Sequence, residues 1–227
     1  MNAPELAEIA ALVGDPARAN ILLALMDGRA LTATELAYAA RVSAPTTSGH
    51  LAKLTEAHLL TALKQGRNRF YRIATPRVAA MLEGIMAVAA DAPPRYRPRS
   101  NADDAMRLAR TCYDHLAGRL GVGIADALCQ RGHLVLGDDA GEVTDSGMAF
   151  LAGLGIDLVK AQRRRRAFCR PCLDWTERRA HLGGSVGAAF AAHCFASGWV
   201  KRMKGTRAVA VTSVGHDRLR NILGLQI

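Results

Sequence analysis

Long apolar runs are missing from this chain. Nowhere do about 18 uninterrupted apolar residues occur, so no membrane-spanning helix is expected. The N-terminus, MNAPELAEIAALV, has no basic stretch ahead of a hydrophobic core, so no secretion signal is expected there. Aromatic residues make up only 5% of the 227, although half of all residues are apolar, which points to an alanine-rich, helical protein. Cysteines number five. With no secretion signal, the expected compartment is the reducing cytoplasm, where thiols bind metal or react more often than they form disulfides. No Ser/His/Asp set and no pair of carboxylates stands at catalytic spacing, and GGSVGAAF lacks the lysine of a phosphate loop. An enzyme is therefore not expected.

What the chain has in excess is positive charge, +10 at neutral pH with a pI near 10. Such a field attracts polyanions, either nucleic acid or an anionic membrane surface. Three segments are expected: a helix-rich domain over 1–90, a proline-rich linker over 91–102 (DAPPRYRPRSNA), and a mostly helical domain over 103–227. In the first, Leu6, Ile9 and Val13 share one helical face. DPARANILLALMDG reads as a second helix closed by Gly28, and Thr32 with Glu35 has capping-box spacing for a third. APTTSGHLAKLTEA follows after a short break. LLTALKQ and RFYRIA around a GRN turn predict a basic β-hairpin, and PRVAAMLEGIMAVAA a last helix with Val78, Met81, Leu82 and Ile85 on one face.

Two helices across a short turn, with a basic hairpin after them, suit a duplex: one helix enters the major groove and the hairpin lies along the backbone. Thr46, Ser48 and His50 are placed to reach base edges or phosphates, while Leu51 and Leu54 face the core. Lys53, Arg67 and Arg69 would neutralise phosphates. These residues resemble the ArsR-type winged-helix repressors over roughly residues 5–90, most specifically in P-T-x-S-x-H-L-x-K-L. The resemblance implies a homodimer joined through the first and last helices of this domain, with Leu6, Ile9, Met81, Leu82 and Ile85 expected at the interface. It also implies binding to an inverted-repeat operator and release by an inducer. The chain departs from the family in three places. Ala44 stands where a polar reader is frequent, the third helix lacks the cysteine pair of the arsenic sensors, and the last helix lacks the spaced Asp and His ligands of the zinc sensors.

Sensing is then expected in the C-terminal domain. In RRRRAFCRPCLDW, Cys169 and Cys172 have the spacing for two thiolates on one ion, and no second C-x-x-C completes the set. Cys112, His115 and His181 are the distant candidates, with Cys112 and His115 read as sharing a helix face at i, i+3 in RLARTCYDHLAG. The adjacent arginines would lower a thiol pKa. The site residues expected for a thiophilic ion (zinc, cadmium, mercury or arsenite) are thus Cys112, Cys169, Cys172 and His115. An oxidant- or electrophile-sensing thiol, a rigid structural loop and an organic inducer beside the loop remain open alternatives. CLDWTERRAHLGG resembles a block of two-domain members of the repressor group. Cys129, Cys194, His133 and His193 read as packing residues, and Arg163–Arg166 as a solvated face or a phosphate contact. An echo, V-T-x-x-G-x-x-x-L at Val143–Leu151 and Val211–Leu219, suggests winged-helix-like modules reused along the chain. The expected fold is mainly α with small β-hairpin wings. The expected function is a repressor; the alternatives are a thiol- or metal-dependent enzyme fused to a DNA-binding domain, and a ligand-insensitive DNA-binding protein with structural cysteines.

Overall fold

The computed structural model describes residues 3–65, 68–91, 101–162 and 166–227. Its contacts divide the chain into two units, Met1–Met81 and Leu82–Ile227. The division falls inside the last helix of the winged region, ahead of the boundary expected at residue 90.

The first unit opens with helix α1 (Ala3–Gly14) and helix α2 (Pro16–Leu25). Asp15 caps α2 by accepting from Arg18 N at 2.9 Å, with Pro16 at the first helical position where no N–H is needed. Strand β1 (Leu31–Thr32) leads into α3 (Ala33–Ala40), which starts with the full Thr32–Glu35 capping box. Arg41, in the left-handed region at φ 56°, stops that helix, and Ser43 caps α4 (Ala44–Glu56). Strands β2 (Leu60–Gln65) and β3 (Asn68–Ile73) form the hairpin, in register from Leu60↔Ile73 to Gln65↔Asn68. Leu31↔Tyr71 adds β1 on the far side of β3, a third strand that two residues were too short to announce. Ile21, Leu25, Leu36, Leu51, Leu54 and Ile73 are essentially solvent-free, each stabilising by about 1.5–3 kcal/mol relative to exposure. Helix α5 (Pro76–Asp91) carries the chain out of this unit.

The second unit is built twice over. Its first half runs α6 (Asn101–Leu108), β4 (Arg110–Cys112), β5 (His115–Ala117), α7 (Gly118–Gln130), β6 (Leu134–Leu136), β7 (Gly141–Val143), α8 (Asp145–Gly153). The second half repeats the order: α9 (Leu158–Gln162), β8 (Arg170–Leu173), β9 (Ala180–Gly183), α10 (Gly184–Ala196), β10 (Val200–Arg202), β11 (Val209–Val211), α11 (Ser213–Leu223). All four hairpins are antiparallel. Thr144 caps α8 by accepting from Gly147 N at 3.0 Å and donates to Gly132 O, and Thr212 does the same for α11 with Gly215 N at 3.0 Å and Gly198 O. The V-T-x-x-G echo is this cap. Helix α7 packs on β9 of the other half, and α10 on β5, so the halves interlock. Leu120, Ile124, Leu128, Val186, Phe190 and Trp199 lie in their common core.

Three expectations change here. RLARTCYDHLAG is not one helix: α6 ends at Leu108 and the rest is the β4–β5 hairpin. Residues i and i+3 neighbour each other on a helix, but they also close a two-residue hairpin loop, and Cys112↔His115 is such a closing pair, with Tyr113 at φ 58° in the loop. The supposed Arg163–Trp175 loop contains strand β8, and α6 begins within the expected 91–102 linker, whose residues 92–100 lie outside the described ones.

Candidate functional site

Two groups of residues carry chemistry. On α4, Thr46, Ser48 and Lys53 are exposed and His50 is half-buried, while Thr47, Leu51 and Leu54 anchor the opposite face. Thr46 Oγ1 lies 2.8 Å from Ser43 Oγ at the cap, and Ser48 Oγ donates back to Ala44 O at 3.0 Å. His50 helps depress the Asp15 carboxyl at the start of α2, chiefly a consequence of Asp15's bond from the Arg18 backbone. Lys64 and Arg69 are exposed on the hairpin, Arg69 over the Tyr71 ring at 5.7 Å. Arg67 lies outside the described residues.

The second group is in the duplicated unit. Cys112, His115, Cys172 and His181 are all buried, and one ligand atom from each lies within 4.8 Å of all the others. The two sulfurs are 3.8 Å apart, and the two imidazoles stack at 5.0 Å between centroids. Each half supplies one cysteine and one histidine, from equivalent hairpins. The reason is written in the chain: Arg110-Thr-Cys112-Tyr-Asp114 matches Arg170-Pro-Cys172-Leu-Asp174, and His115-Leu-Ala-Gly118-Arg-Leu-Gly121 matches His181-Leu-Gly-Gly184-Ser-Val-Gly187. The glycines make the approach possible. A Cβ on Gly121 would stand 2.4 Å from Leu116 O and 3.6 Å from the His181 Cβ. One on Gly187 would stand 2.2 Å from Leu182 O and 3.3 Å from the His115 Cβ. Each half thus leaves room for the other half's histidine.

An outer layer of carboxylates follows the same symmetry. Asp114 faces His115 Nδ1 at 3.4 Å and pairs with Arg166 at 2.5 Å. Asp174, fully buried, lies 3.8 Å from His181 Nδ1 and pairs with Arg110 at 2.9 Å. Its oxygens also accept from Gly118 N, Thr176 N, Thr176 Oγ1 and Glu177 N. Burial opposes ionisation, but the Arg110 guanidinium and these donors hold its carboxyl well below the usual range. His115 Nε2 and both ring nitrogens of His181 have no hydrogen-bond partner although buried. The sulfur contact with Cys112 first, and then the neighbouring histidines, hold the Cys172 thiol far below its ordinary value against burial, while the same sulfur contact and burial push Cys112 up. For His115, burial works against charge, yet Asp114 and Cys172 together raise its pKa to about 9. Next to the histidines, Leu116, Gly121, Ile124, Leu182, Gly187 and Phe190 line a cavity of about 10 Å³, enough for about one water and not for an organic ligand.

Of the four expected ligands, Cys112, His115 and Cys172 come together and Cys169 does not. Cys172 on β8 turns toward the cluster, while Cys169, in the bend that precedes that strand, turns into the apolar core beside Gly141. Burial, not the cationic flank, governs Cys169 and pushes its pKa to about 11. His181 takes the fourth place. Cys194 is a core residue, its thiol pushed by burial to about 12. Arg166 is not a solvated cation but the partner of Asp114, and 163–165 lie outside the described residues. At the expected dimer face, Leu82 is buried within the chain and Met81 is half-buried, whereas Leu6 is 65% and Ile85 46% exposed.

Residues 13–61 match a helix-turn-helix domain family. Over 224 residues, 99% of either chain, the sequence is 41% identical to the HTH-type transcriptional regulator YdfF of Bacillus subtilis (strain 168). The chain belongs to the HTH-type transcriptional regulators. The relative's match runs through both units of this regulator, so the duplicated half is part of what the two share. Among solved structures, reduced HlyU from Vibrio cholerae is 26% identical over 38% of this regulator and 90% of that chain, with a TM-score of 0.35. The homodimeric winged helix-turn-helix domain of Mb0332 from Mycobacterium bovis, described as a possible ArsR-family regulator, is 24% identical over 43% and 89%, with a TM-score of 0.38. Both superpositions are confined to less than half of the regulator and are too loose to carry a residue-level equivalence. The helix-turn-helix of this regulator is α3–α4, its wing β2–β3, and it is a DNA-binding protein of the winged type. No helix among the described residues is long and apolar enough to cross a membrane.

Proposed function

We propose that this regulator is a repressor that binds an inverted-repeat operator as a homodimer, and that the Cys112–His115–Cys172–His181 centre receives the signal that releases it. Helix α4 would present Thr46, Ser48 and His50 to the major groove, with Lys53 and the basic wing on phosphates. The exposed apolar residues Leu6 on α1, and Ile85 and Val88 on α5, at 65%, 46% and 72% exposure, support a partner surface on each of these helices. The observation that carries the signal half of the reading is the buried cluster with three orphaned imidazole nitrogens, a costly arrangement unless something fills it. A route outward is at hand. Glu83 of α5 is buried, lies 3.8 Å from Arg207, and contributes to raising the Cys112 thiol. Occupancy of the centre must favour one dimer geometry over another, since a ligand with equal affinity for both shifts nothing.

The test is selection of binding sites from a random duplex library by the full-length chain. A dyad with half-sites about one helical turn, or a multiple of it, apart is expected. Ile85→Glu should sediment as a monomer and bind the selected duplex far more weakly. Enrichment of no symmetric sequence, or an Ile85→Glu chain that stays dimeric with unchanged affinity, overturns the dimeric-operator reading.

A further inference from the structure

We propose that Cys112, His115, Cys172 and His181 form a tetrahedral site for a single zinc-class divalent ion, two thiolates and two imidazoles, which clasps the two halves of the duplicated unit together. The inference rests on the proposed function only for its regulatory consequence; the binding itself stands on geometry.

Bonds of about 2.3 Å to sulfur at a tetrahedral angle place two sulfurs about 3.8 Å apart, and Cys112 Sγ and Cys172 Sγ are 3.8 Å apart. The four ligand atoms already lie within 4.8 Å of one another, so closing on an ion asks for side-chain adjustments and not for backbone movement. The donor set also fits electrically. Two thiolates cancel the charge of a divalent ion and two neutral imidazoles complete the shell, so a centre with no net charge sits where water does not reach; the protons displaced go to solvent. Asp114 and Asp174 stand at the Nδ1 side of the two histidines, at 3.4 and 3.8 Å. The Asp114 contact fixes the tautomer of His115 and leaves its Nε2 as the ligating atom; Asp174 is placed to do the same for His181 once that ring moves onto an ion.

A disulfide explains less. Sulfurs 3.8 Å apart are well beyond a bond of about 2.05 Å, and closing it would leave His115 Nε2 and both His181 nitrogens as unpartnered as before. A tetrahedral ion engages all four side chains. It also accounts for their distribution: because each half donates one sulfur and one imidazole, neither half can hold the ion alone. The ion would lock the β4–β5 hairpin to β8–β9.

The experiment uses the full-length chain, purified under reducing conditions and stripped by a chelator. Titration with cobalt(II) should give one ion per chain, with the strong visible bands of tetrahedral cobalt and thiolate-to-cobalt charge transfer. X-ray absorption of the zinc-loaded wild type should show two sulfurs at about 2.3 Å and two nitrogens at about 2.0 Å. Cys172→Ser should lose the charge transfer and Cys169→Ser should keep it. So that the outcome does not depend on the folding of Cys172→Ser, the absorption measurement on the wild type decides by itself: a shell without two sulfurs, or binding that Cys169→Ser abolishes, overturns the proposal. Zinc-loaded and stripped chains are then compared on the selected duplex. A two-sulfur, two-nitrogen ion that leaves DNA affinity unchanged upholds the clasp and overturns the sensing role; a tenfold or larger change upholds both.

Discussion

Replacing Asp174 by asparagine should be among the most damaging single changes in the second unit, although it alters only one atom of the side chain. Asp174 Oδ2 accepts from Arg110 Nη2 at 2.9 Å and Gly118 N at 2.7 Å, and Oδ1 from Thr176 N at 2.9 Å, Thr176 Oγ1 at 2.6 Å and Glu177 N at 3.0 Å. Asparagine offers one oxygen. Whichever way its amide turns, an NH₂ group faces donors, and the Arg110 guanidinium is left buried without its counter-charge. Breaking a buried pair from one side costs about 3–5 kcal/mol, and the orphaned donors leave no easy relaxation. The chain's two tryptophans, Trp175 and Trp199, both belong to the second unit, so tryptophan fluorescence in urea follows that unit without interference from the winged one. With a slope of about 2 kcal/mol/M, the midpoint should drop by about 2 M. Adding Arg110→Met removes the stranded cation, and the double variant should be more stable than the sum of the single losses by well over 0.5 kcal/mol, a coupling expected only of groups that act as one. A midpoint that moves by less than about 0.5 M for Asp174→Asn, or a strictly additive double variant, would refute this account of what holds the centre's outer layer.

Three further outcomes follow from the geometry. Gly187→Ala puts a methyl 2.2 Å from Leu182 O and should cost about 2–4 kcal/mol in the same urea assay, whereas Gly84→Ala on α5, with nothing within 4 Å, should be neutral or stabilise by about 0.5–1 kcal/mol; equal effects would mean that the crowding is not real. Arg69→Ala should weaken binding to specific and unrelated duplexes alike and flatten the salt slope by about 1, measured by fluorescence anisotropy; a change in sequence preference would instead make Arg69 a base reader. Glu35's carboxyl is held below its ordinary 4.5 by the backbone N–H of Thr32 first and its hydroxyl second. Its contribution is therefore fully present above that value and is lost as pH falls through the lowered one, so wild type and Glu35→Gln should differ in thermal stability near neutrality and converge in acid.

The winged unit was legible because its signals are local. Asp15-Pro16, the Thr32–Glu35 box and the paired runs LLTALKQ and RFYRIA each announce an element within a few residues, and the structure has the two helices and the paired strands. The centre was harder because its parts are not local. Cys112 and His115 were paired by spacing as neighbours on a helix, whereas the structure sets them opposite each other on a hairpin. In the second half, six residues separate Asp174 from His181 where none separates Asp114 from His115, and that insertion hides the repeat from any reading at fixed period. Cys169 drew attention by its spacing from Cys172 and its cationic flank, yet it lies in the bend before β8 and faces the apolar core. The signal that was there to be found is the paired R-x-C-x-D and H-L-x-G-x-x-G, which places both histidines and both cysteines at once.

A centre whose ligands fall on the seam between two copies of one unit has an ancestry implied by its shape. A chain carrying a single copy would present one sulfur and one imidazole, and two such chains meeting face to face would complete the set with no new residue. Joined in one polypeptide, the copies no longer have to remain identical. One carries the extra turn holding Trp175, with its ring under Arg110, and a deeply nested aspartate; the other keeps a two-residue loop and a half-buried one. Fusion turns an assembly that depends on concentration into one that does not, and it frees the surfaces of the two copies to serve different neighbours.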